Sequence, residues 1–89
     1  MKLKDGVIFT SVADETIAVT VGEAADAFKG MIKLNSTGAF IAQKMMTEVR
    51  TEDLVAALRQ EYDVDEETAI KAVESIVEKF QSVGLLRNE

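Results

Sequence analysis

The chain has 89 residues, a formal net charge of −6 and a sequence pI near 4.6. This length supports one hydrophobic core, so we expect a single domain over residues 1–89. Because the chain contains neither cysteine nor histidine, disulfides are excluded, and so are the commonest metal ligand and the commonest general base. The negative charge also disfavours contact with nucleic-acid phosphates.

Two stretches were considered as targeting or membrane segments. The N-terminal residues 1–6 contain two lysines but lack the apolar run of a signal peptide. The longest uncharged stretch elsewhere, residues 16–22, is far too short to cross a bilayer. We therefore expect a cytoplasmic protein that does not bind membranes.

The first third of the chain has the alternating apolar pattern of half-buried strands. A first strand is predicted over residues 7–12, followed by a turn at residues 13–15 and a second strand over residues 16–21. Residues 22–29 are predicted as a loop, in which residues 23–28 could form one helical turn. A short third strand, residues 30–34, directs Ile32 and Leu34 inward.

After Leu34 the apolar residues recur every three to four positions, as they do on amphipathic helices. The first helix is predicted from a cap at Asn35 or Ser36 to about Glu48, and the second is predicted to follow a cap at Thr51. The third begins after a cap at Asp65 and ends near Gly84. The order βββααα predicts an α+β fold in which a three-stranded antiparallel sheet precedes three helices in a winged-helix-like layout.

The positions of the carboxylates in this chain do not indicate a catalytic or a metal-binding role. Most of them occupy helix N-termini or polar helix faces, which is typical of a solvated acidic surface. The cluster of Asp63, Asp65, Glu66 and Glu67 lacks the later glycine and glutamate of a calcium loop. We therefore predict no catalytic residue, no metal site and no cofactor, and hence a protein that is not an enzyme.

DNA binding is the main alternative, because a winged-helix layout includes a helix-turn-helix. The third helix would be the recognition helix, yet it carries Glu66, Glu67, Glu74 and Glu78 against only Lys71 and Lys79. A helix with this charge would be repelled by the major groove. A DNA-binding regulator and an interaction module of unassigned role stay as the alternatives.

Peptide binding requires an exposed strand edge beside an apolar groove. Residues 31–34 could supply such an edge, since this strand is short and leads directly into the first helix. A short edge strand can equally serve only to prevent aggregation. The hydrophobic pattern does not decide between these two interpretations.

The junction between the third strand and the first helix reads Met-Ile-Lys-Leu-Asn-Ser-Thr-Gly-Ala-Phe-Ile over residues 31–41. This run resembles the signature of the PqqD-like family at the same junction. The resemblance continues through residues 51–58 and 61–65, and through the long helix that ends in Gly-Leu-Leu at residues 84–86. It covers about residues 7–87.

The resemblance implies a precursor-peptide recognition element of ribosomal peptide maturation. Such a domain binds the leader of a ribosomally made peptide by strand addition and presents it to a modifying enzyme, often a radical-SAM protein. Carried onto this chain, it implies a peptide site on the third strand and the third helix. The residues of that site would be Met31, Ile32, Lys33, Leu34, Ile70, Lys71, Val73, Glu74 and Val77. For Ile70, Val73 and Val77, the helical spacing favours plain core packing over a role in binding. The sequence leaves both a monomer and a homodimer open.

Overall fold

The computed structural model describes residues 1–87 and contains five strands and four helices within them. The strands are β1 (Lys2–Leu3), β2 (Val7–Val12), β3 (Glu15–Thr20), β4 (Met31–Leu34) and β5 (Leu86–Arg87). The helices are α1 (Gly22–Ala27), α2 (Ser36–Lys44), α3 (Thr51–Glu61) and α4 (Glu66–Ser82). The predicted α+β class with a three-stranded antiparallel sheet is confirmed. The two final residues of the predicted domain, 88 and 89, lie outside the described part.

The main sheet has the strand order β2–β3–β4, and both of its strand pairs are antiparallel. A two-residue turn, Ala13 and Asp14, joins β2 to β3 and places Val12 opposite Glu15. Ala13 has a φ of +57°, in the left-handed region that favours glycine. The connection from β3 to β4 contains α1, and β4 forms one edge of the sheet.

Two of the helices, α2 and α4, begin at cap residues that the sequence predicts. The side chain of Asn35 accepts a hydrogen bond from the Gly38 N–H at 2.8 Å, and that of Asp65 accepts one from the Thr68 N–H at 2.8 Å. These bonds satisfy backbone donors that the first helical turn leaves unpaired. Past α4, Gly84 has a φ of +77°, and the Leu85 N–H returns to the Phe80 carbonyl at 3.0 Å. That backbone reversal buries Leu85 completely.

One hydrophobic core lies between the inner face of the sheet and the three long helices. The apolar stripe of α4 is buried, and so are Ile32 and Leu34 on β4, which the sequence predicts to face inward. The buried residues that build the centre of this core are Ala18, Ile32, Leu34, Ile41, Met45, Leu54, Leu58, Ala69, Val73, Ile76 and Phe80. The opposite face of the sheet carries Ile8, Ile17, Val19 and Met31, and no helix covers it among the described residues.

Apart from shifts of one residue at strand ends, the structure differs from the prediction at four places. Arg50 is the N-cap of α3, and Thr51, the predicted cap, is the first residue of that helix. Residues 22–27 form the helix α1, held by a bond from the Ala24 N–H to the Asp5 carbonyl at 3.0 Å. The first long helix ends at Lys44 instead of Glu48, because the Met45 carbonyl accepts a bond from the Leu3 N–H at 2.8 Å. The β1–β5 pair was not predicted, since two-residue strands have no readable period.

Candidate peptide-binding site

The edge strand β4 has one neighbour in the sheet, and the hydrogen-bond alternation shows which of its backbone groups face outward. The Val21 N–H donates to the Gly6 carbonyl at 2.8 Å. In an antiparallel pair, bonded and non-bonded pairs alternate. The odd-numbered residues of β3 therefore bond to β2, and the even-numbered ones bond to β4.

The register of β3 with β4 identifies the residues of β4 whose backbone N–H and C=O groups are unpaired within the described part of the chain. Ala18 lies opposite Ile32 and Thr16 opposite Leu34, so Ile32 and Leu34 use their backbone groups inside the sheet. The N–H and C=O groups of Met31 and Lys33 consequently point away from β3. These two residues provide the main-chain donors and acceptors that an added strand would need.

The side chains of the four predicted edge residues divide between the two faces of the sheet. Ile32 and Leu34 are buried in the core, whereas Met31 is 60% exposed and Lys33 is also exposed. The alternation follows from the period of two along a strand. Ile32 and Leu34 therefore anchor β4, and Met31 and Lys33 present it to solvent.

A groove lies between the start of α2 and one flank of α4, next to the C-terminal end of β4. We call it the α2–α4 groove. It holds a small cavity of about 90 Å³, lined by Asn35, Thr37, Gly38, Ile41, Ala72, Ser75 and Ile76. Gly38 permits this arrangement, because a β-carbon there would lie 2.9 Å from Cδ1 of Ile76. At this glycine, α2 thus packs directly against α4.

Three of the α4 residues assigned to the site by resemblance lie on the other flank of that helix. Ile70 lines a depression with Val55 on α3. Glu74 and Val77 line a second depression with Thr51, at the start of α3. The structure therefore groups Ile70, Glu74 and Val77 with α3 and away from β4.

The other two α4 residues assigned by resemblance, Val73 and Lys71, differ in their exposure to solvent. Val73 has no exposed surface and is a core residue, which agrees with the packing interpretation of its spacing. Lys71 is exposed, and its Nζ lies 3.3 Å from Oε1 of Glu67 one turn earlier. Of the two, only Lys71 has a side chain that is exposed to solvent.

Ala72, Ser75 and Lys79 were not assigned to the site, although Ala72 and Ser75 line the α2–α4 groove. The helical period puts residues 72, 75 and 79 on one flank of α4 and residues 70, 74 and 77 on the other. The sequence thus separates the two flanks. Which flank faces the sheet follows only from the packing of α2 against α4.

The charges on α4 are mixed, and the basic ones lie beside the groove. Lys71 and Lys79 are one helical turn before and after Ser75, and both are exposed. Lys33 on β4 is also exposed, but its side chain lies on the face of the sheet opposite the core, whereas the α2–α4 groove lies on the helical side. The exposed acids of α4 are Glu66, Glu67, Glu74 and Glu78, which makes α4 a poor recognition helix for DNA.

Among residues 1–87, one carboxyl has a clearly altered pKa. Thr68, through its hydroxyl and its backbone N–H, lowers the pKa of Asp65 from the ordinary value of 3.8. Both bonds favour the charged carboxylate that caps α4. This shift is explained by helix capping and does not mark a catalytic group.

Residues 1–87 contain neither a metal-binding cluster of acids nor a membrane-spanning helix. No group of three or more aspartates or glutamates in this range is arranged to hold a metal ion. No helix in the same range is long and apolar enough to cross a membrane.

The fold and this edge define a class of small α+β protein in which an open strand lies beside a helical groove. The family model for coenzyme PQQ synthesis protein D (PqqD) matches residues 15–86. This protein therefore belongs to the PqqD family, as the sequence resemblance predicted.

A solved structure has the same fold over the full length of the chain. It is that of TbiB1 in complex with the TbiA(beta) leader peptide, with a TM-score of 0.76 and 22% sequence identity. The match covers 100% of this chain and 98% of the TbiB1 chain. No curated protein matches the sequence.

Proposed function

We propose that this protein is a non-catalytic adaptor that binds the leader segment of a ribosomally made precursor peptide and presents it to a modifying enzyme. The observation that carries the proposal is the open edge of β4, in a chain of the PqqD family. The structurally similar TbiB1 was solved with a leader peptide. The leader would add to β4 as a further strand of the sheet.

The geometry suggests how the leader is held. Its main chain would bond to the outward backbone groups of Met31 and Lys33, which gives affinity that is independent of sequence. Alternate side chains of the leader would point into the α2–α4 groove, where Ala72 and Ser75 leave room. Lys33, Lys71 and Lys79 would favour acidic residues in the leader.

The modifying enzyme would supply the chemistry that this chain lacks. With neither histidine nor cysteine, the adaptor has no strong nucleophile or general base of its own. We propose a radical-SAM enzyme as the partner and the cytoplasm as the location, where ribosomal precursors are made. A short peptide gene and a radical-SAM gene beside this gene would support both proposals.

A proline substitution tests whether the leader binds by strand addition. Lys33→Pro removes the outward N–H of β4 but no hydrogen bond of the sheet, and proline is tolerated at such edge positions. The matched variant Lys33→Ala removes the lysine side chain and keeps the N–H. The measurement is a titration with the labelled leader of the precursor peptide that is encoded beside this gene. We expect Lys33→Pro to bind this leader roughly tenfold more weakly or worse, because it loses a main-chain hydrogen bond and blocks strand pairing.

Two controls make the result decisive. Lys33→Ala should weaken binding less than Lys33→Pro, and Ser11→Pro, at the opposite edge of the sheet, should leave it unchanged. Circular dichroism establishes that each variant is folded. Equal binding by Lys33→Pro and the unsubstituted protein would refute strand addition at β4.

A further inference from the structure

The second edge of the sheet, β2, differs from β4 in having no charged residue. Its six residues are Val7–Val12, with the sequence Val-Ile-Phe-Thr-Ser-Val. Natural edge strands are usually protected by charges, proline, bulges or short length. β2 has none of these features, whereas β4 is short and carries Lys33.

Two apolar side chains of β2, those of Ile8 and Val12, lie exposed on the face of the sheet that no helix within residues 1–87 covers. Ile8 is 46% exposed and Val12 is 53% exposed. Their partners across the strand pair are Val19 and Glu15. An edge with free backbone groups and exposed β-branched side chains favours pairing with another strand.

We propose that β2 pairs antiparallel with β2 of a second copy, forming a dimer with a continuous six-stranded sheet. The alternation described above leaves the backbone groups of Val7, Phe9 and Ser11 directed away from β3. A two-fold axis at Phe9 places Phe9 opposite Phe9 of the second copy and Val7 opposite Ser11. All three outward residues then find partners, with about six main-chain bonds.

The charges at the two ends of β2 are complementary in this arrangement. The turn after β2 carries Asp14 and Glu15, and the segment before it carries Lys2, Lys4 and Asp5. Antiparallel pairing brings the acidic turn of each copy to the more basic start of β2 in the other. The acids of α3 and α4 are not part of the paired strands.

In such a dimer the β4 edge of each copy stays unpaired. The strand order becomes β4–β3–β2–β2–β3–β4, so both copies of β4 lie at the outer edges. The dimer therefore leaves both β4 edges free to pair with a peptide. This inference rests on the edge of β2 and on the charges that flank this strand, and it does not require the proposed leader binding.

Sedimentation velocity from about 10 μM to about 1 mM tests the dimer, since a small interface of this kind is expected to be transient. We expect the unsubstituted protein to shift from monomer to dimer across this range. Ser11→Pro removes an outward N–H without breaking a β2–β3 bond, and it should weaken dimerisation roughly tenfold or more. Ser11→Ala and Lys33→Pro should dimerise like the unsubstituted protein.

Amide hydrogen exchange gives a second readout that locates the contact. With rising concentration, exchange at Phe9 and Ser11 should slow, while exchange at Met31 and Lys33 should not change. A protein that stays monomeric at all concentrations refutes the proposal. A dimer that survives Ser11→Pro but is lost in Ile8→Lys would place the contact on the sheet's open face and would also refute pairing through β2.

Discussion

Gly38 on α2 and Ile76 on α4 approach so closely that a β-carbon on Gly38 would lie 2.9 Å from Cδ1 of Ile76. The same β-carbon would lie 3.0 Å from Oδ1 of Asn35, which caps α2. Both contacts are shorter than an ordinary van der Waals approach. The glycine therefore sets the spacing of α2 and α4, and with it the floor of the α2–α4 groove.

We expect Gly38→Ala to lower the free energy of unfolding by about 1 kcal/mol. Overpacking costs about 1–3 kcal/mol, and the better helix propensity of alanine offsets about 0.5–1 kcal/mol of it. Ile76→Val removes the clashing Cδ1 and alone should cost about 0.5–1.5 kcal/mol. Urea unfolding of the two single variants and the double variant measures their coupling.

The double variant should be more stable than the sum of the single effects predicts, by at least about 0.5 kcal/mol. The contact with Asn35 remains in the double variant, so the relief should be partial. Strictly additive effects would show that Ile76 does not restrict position 38.

Ala13 is the only non-glycine residue of the described chain with a positive φ. The left-handed conformation costs an alanine roughly 1–2 kcal/mol, while glycine adopts it freely at an entropic cost of about 0.5–1 kcal/mol. We expect Ala13→Gly to raise the free energy of unfolding by about 0.5–1 kcal/mol in urea. Asp14→Gly is the matched control, because the φ of Asp14 is not positive, and it should not stabilise the protein.

The lowered pKa of Asp65 predicts a specific pH dependence of stability. A carboxyl whose pKa is lower in the folded state stabilises the fold above its unfolded pKa, and this contribution is lost as the pH falls through the folded value. The contribution of Asp65 is therefore complete above about pH 5 and declines below the ordinary value of 3.8. Asp65→Asn keeps a capping side chain but cannot titrate.

Thermal unfolding followed from about pH 7 to about pH 2 measures this difference. The Tm of the unsubstituted protein should fall more steeply below pH 4 than that of Asp65→Asn. Parallel curves for the two proteins would show that the bonds from Thr68 do not depend on the charge of Asp65.

The sequence predicted those features that local chemistry determines. The caps at Asn35 and Asp65 and the reversal at Gly84 follow from single side chains or from a single left-handed residue, and each was found where predicted. The end of α2 at Lys44 could not be predicted in the same way. It depends on a backbone bond from Leu3, more than 40 residues away in the sequence.

In the candidate site, too, the features that depend on neighbouring residues could be predicted from the sequence, whereas those that depend on packing between distant segments could not. The motif at residues 31–41 located the edge strand, and the alternation of side chains separated Ile32 and Leu34 from Met31 and Lys33. The helical period separated the two flanks of α4. Only the contact between Gly38 and Ile76 shows which flank lies beside α2 and the end of β4.

A pair of bulky substitutions decides which flank of α4 contacts the leader. Ser75→Trp fills the α2–α4 groove from an exposed position, so we expect it to weaken leader binding roughly tenfold or more by occupying the space of a leader side chain. Glu74→Trp places the same side chain one residue earlier, also at an exposed position, in the depression beside Thr51. It should leave binding nearly unchanged if the leader contacts the groove.

The same titration, performed on both variants, distinguishes the two assignments of the site. If Glu74→Trp abolishes binding while Ser75→Trp does not, the flank that carries Ile70, Glu74 and Val77 is the binding surface, as the family resemblance implied. Because both substitutions are at exposed positions of one helix, a loss of folding in only one of them is not expected, and circular dichroism verifies this. Weaker binding by Ser75→Trp alone would assign the leader to the flank formed by Ala72, Ser75 and Lys79, where β4, α2 and α4 meet.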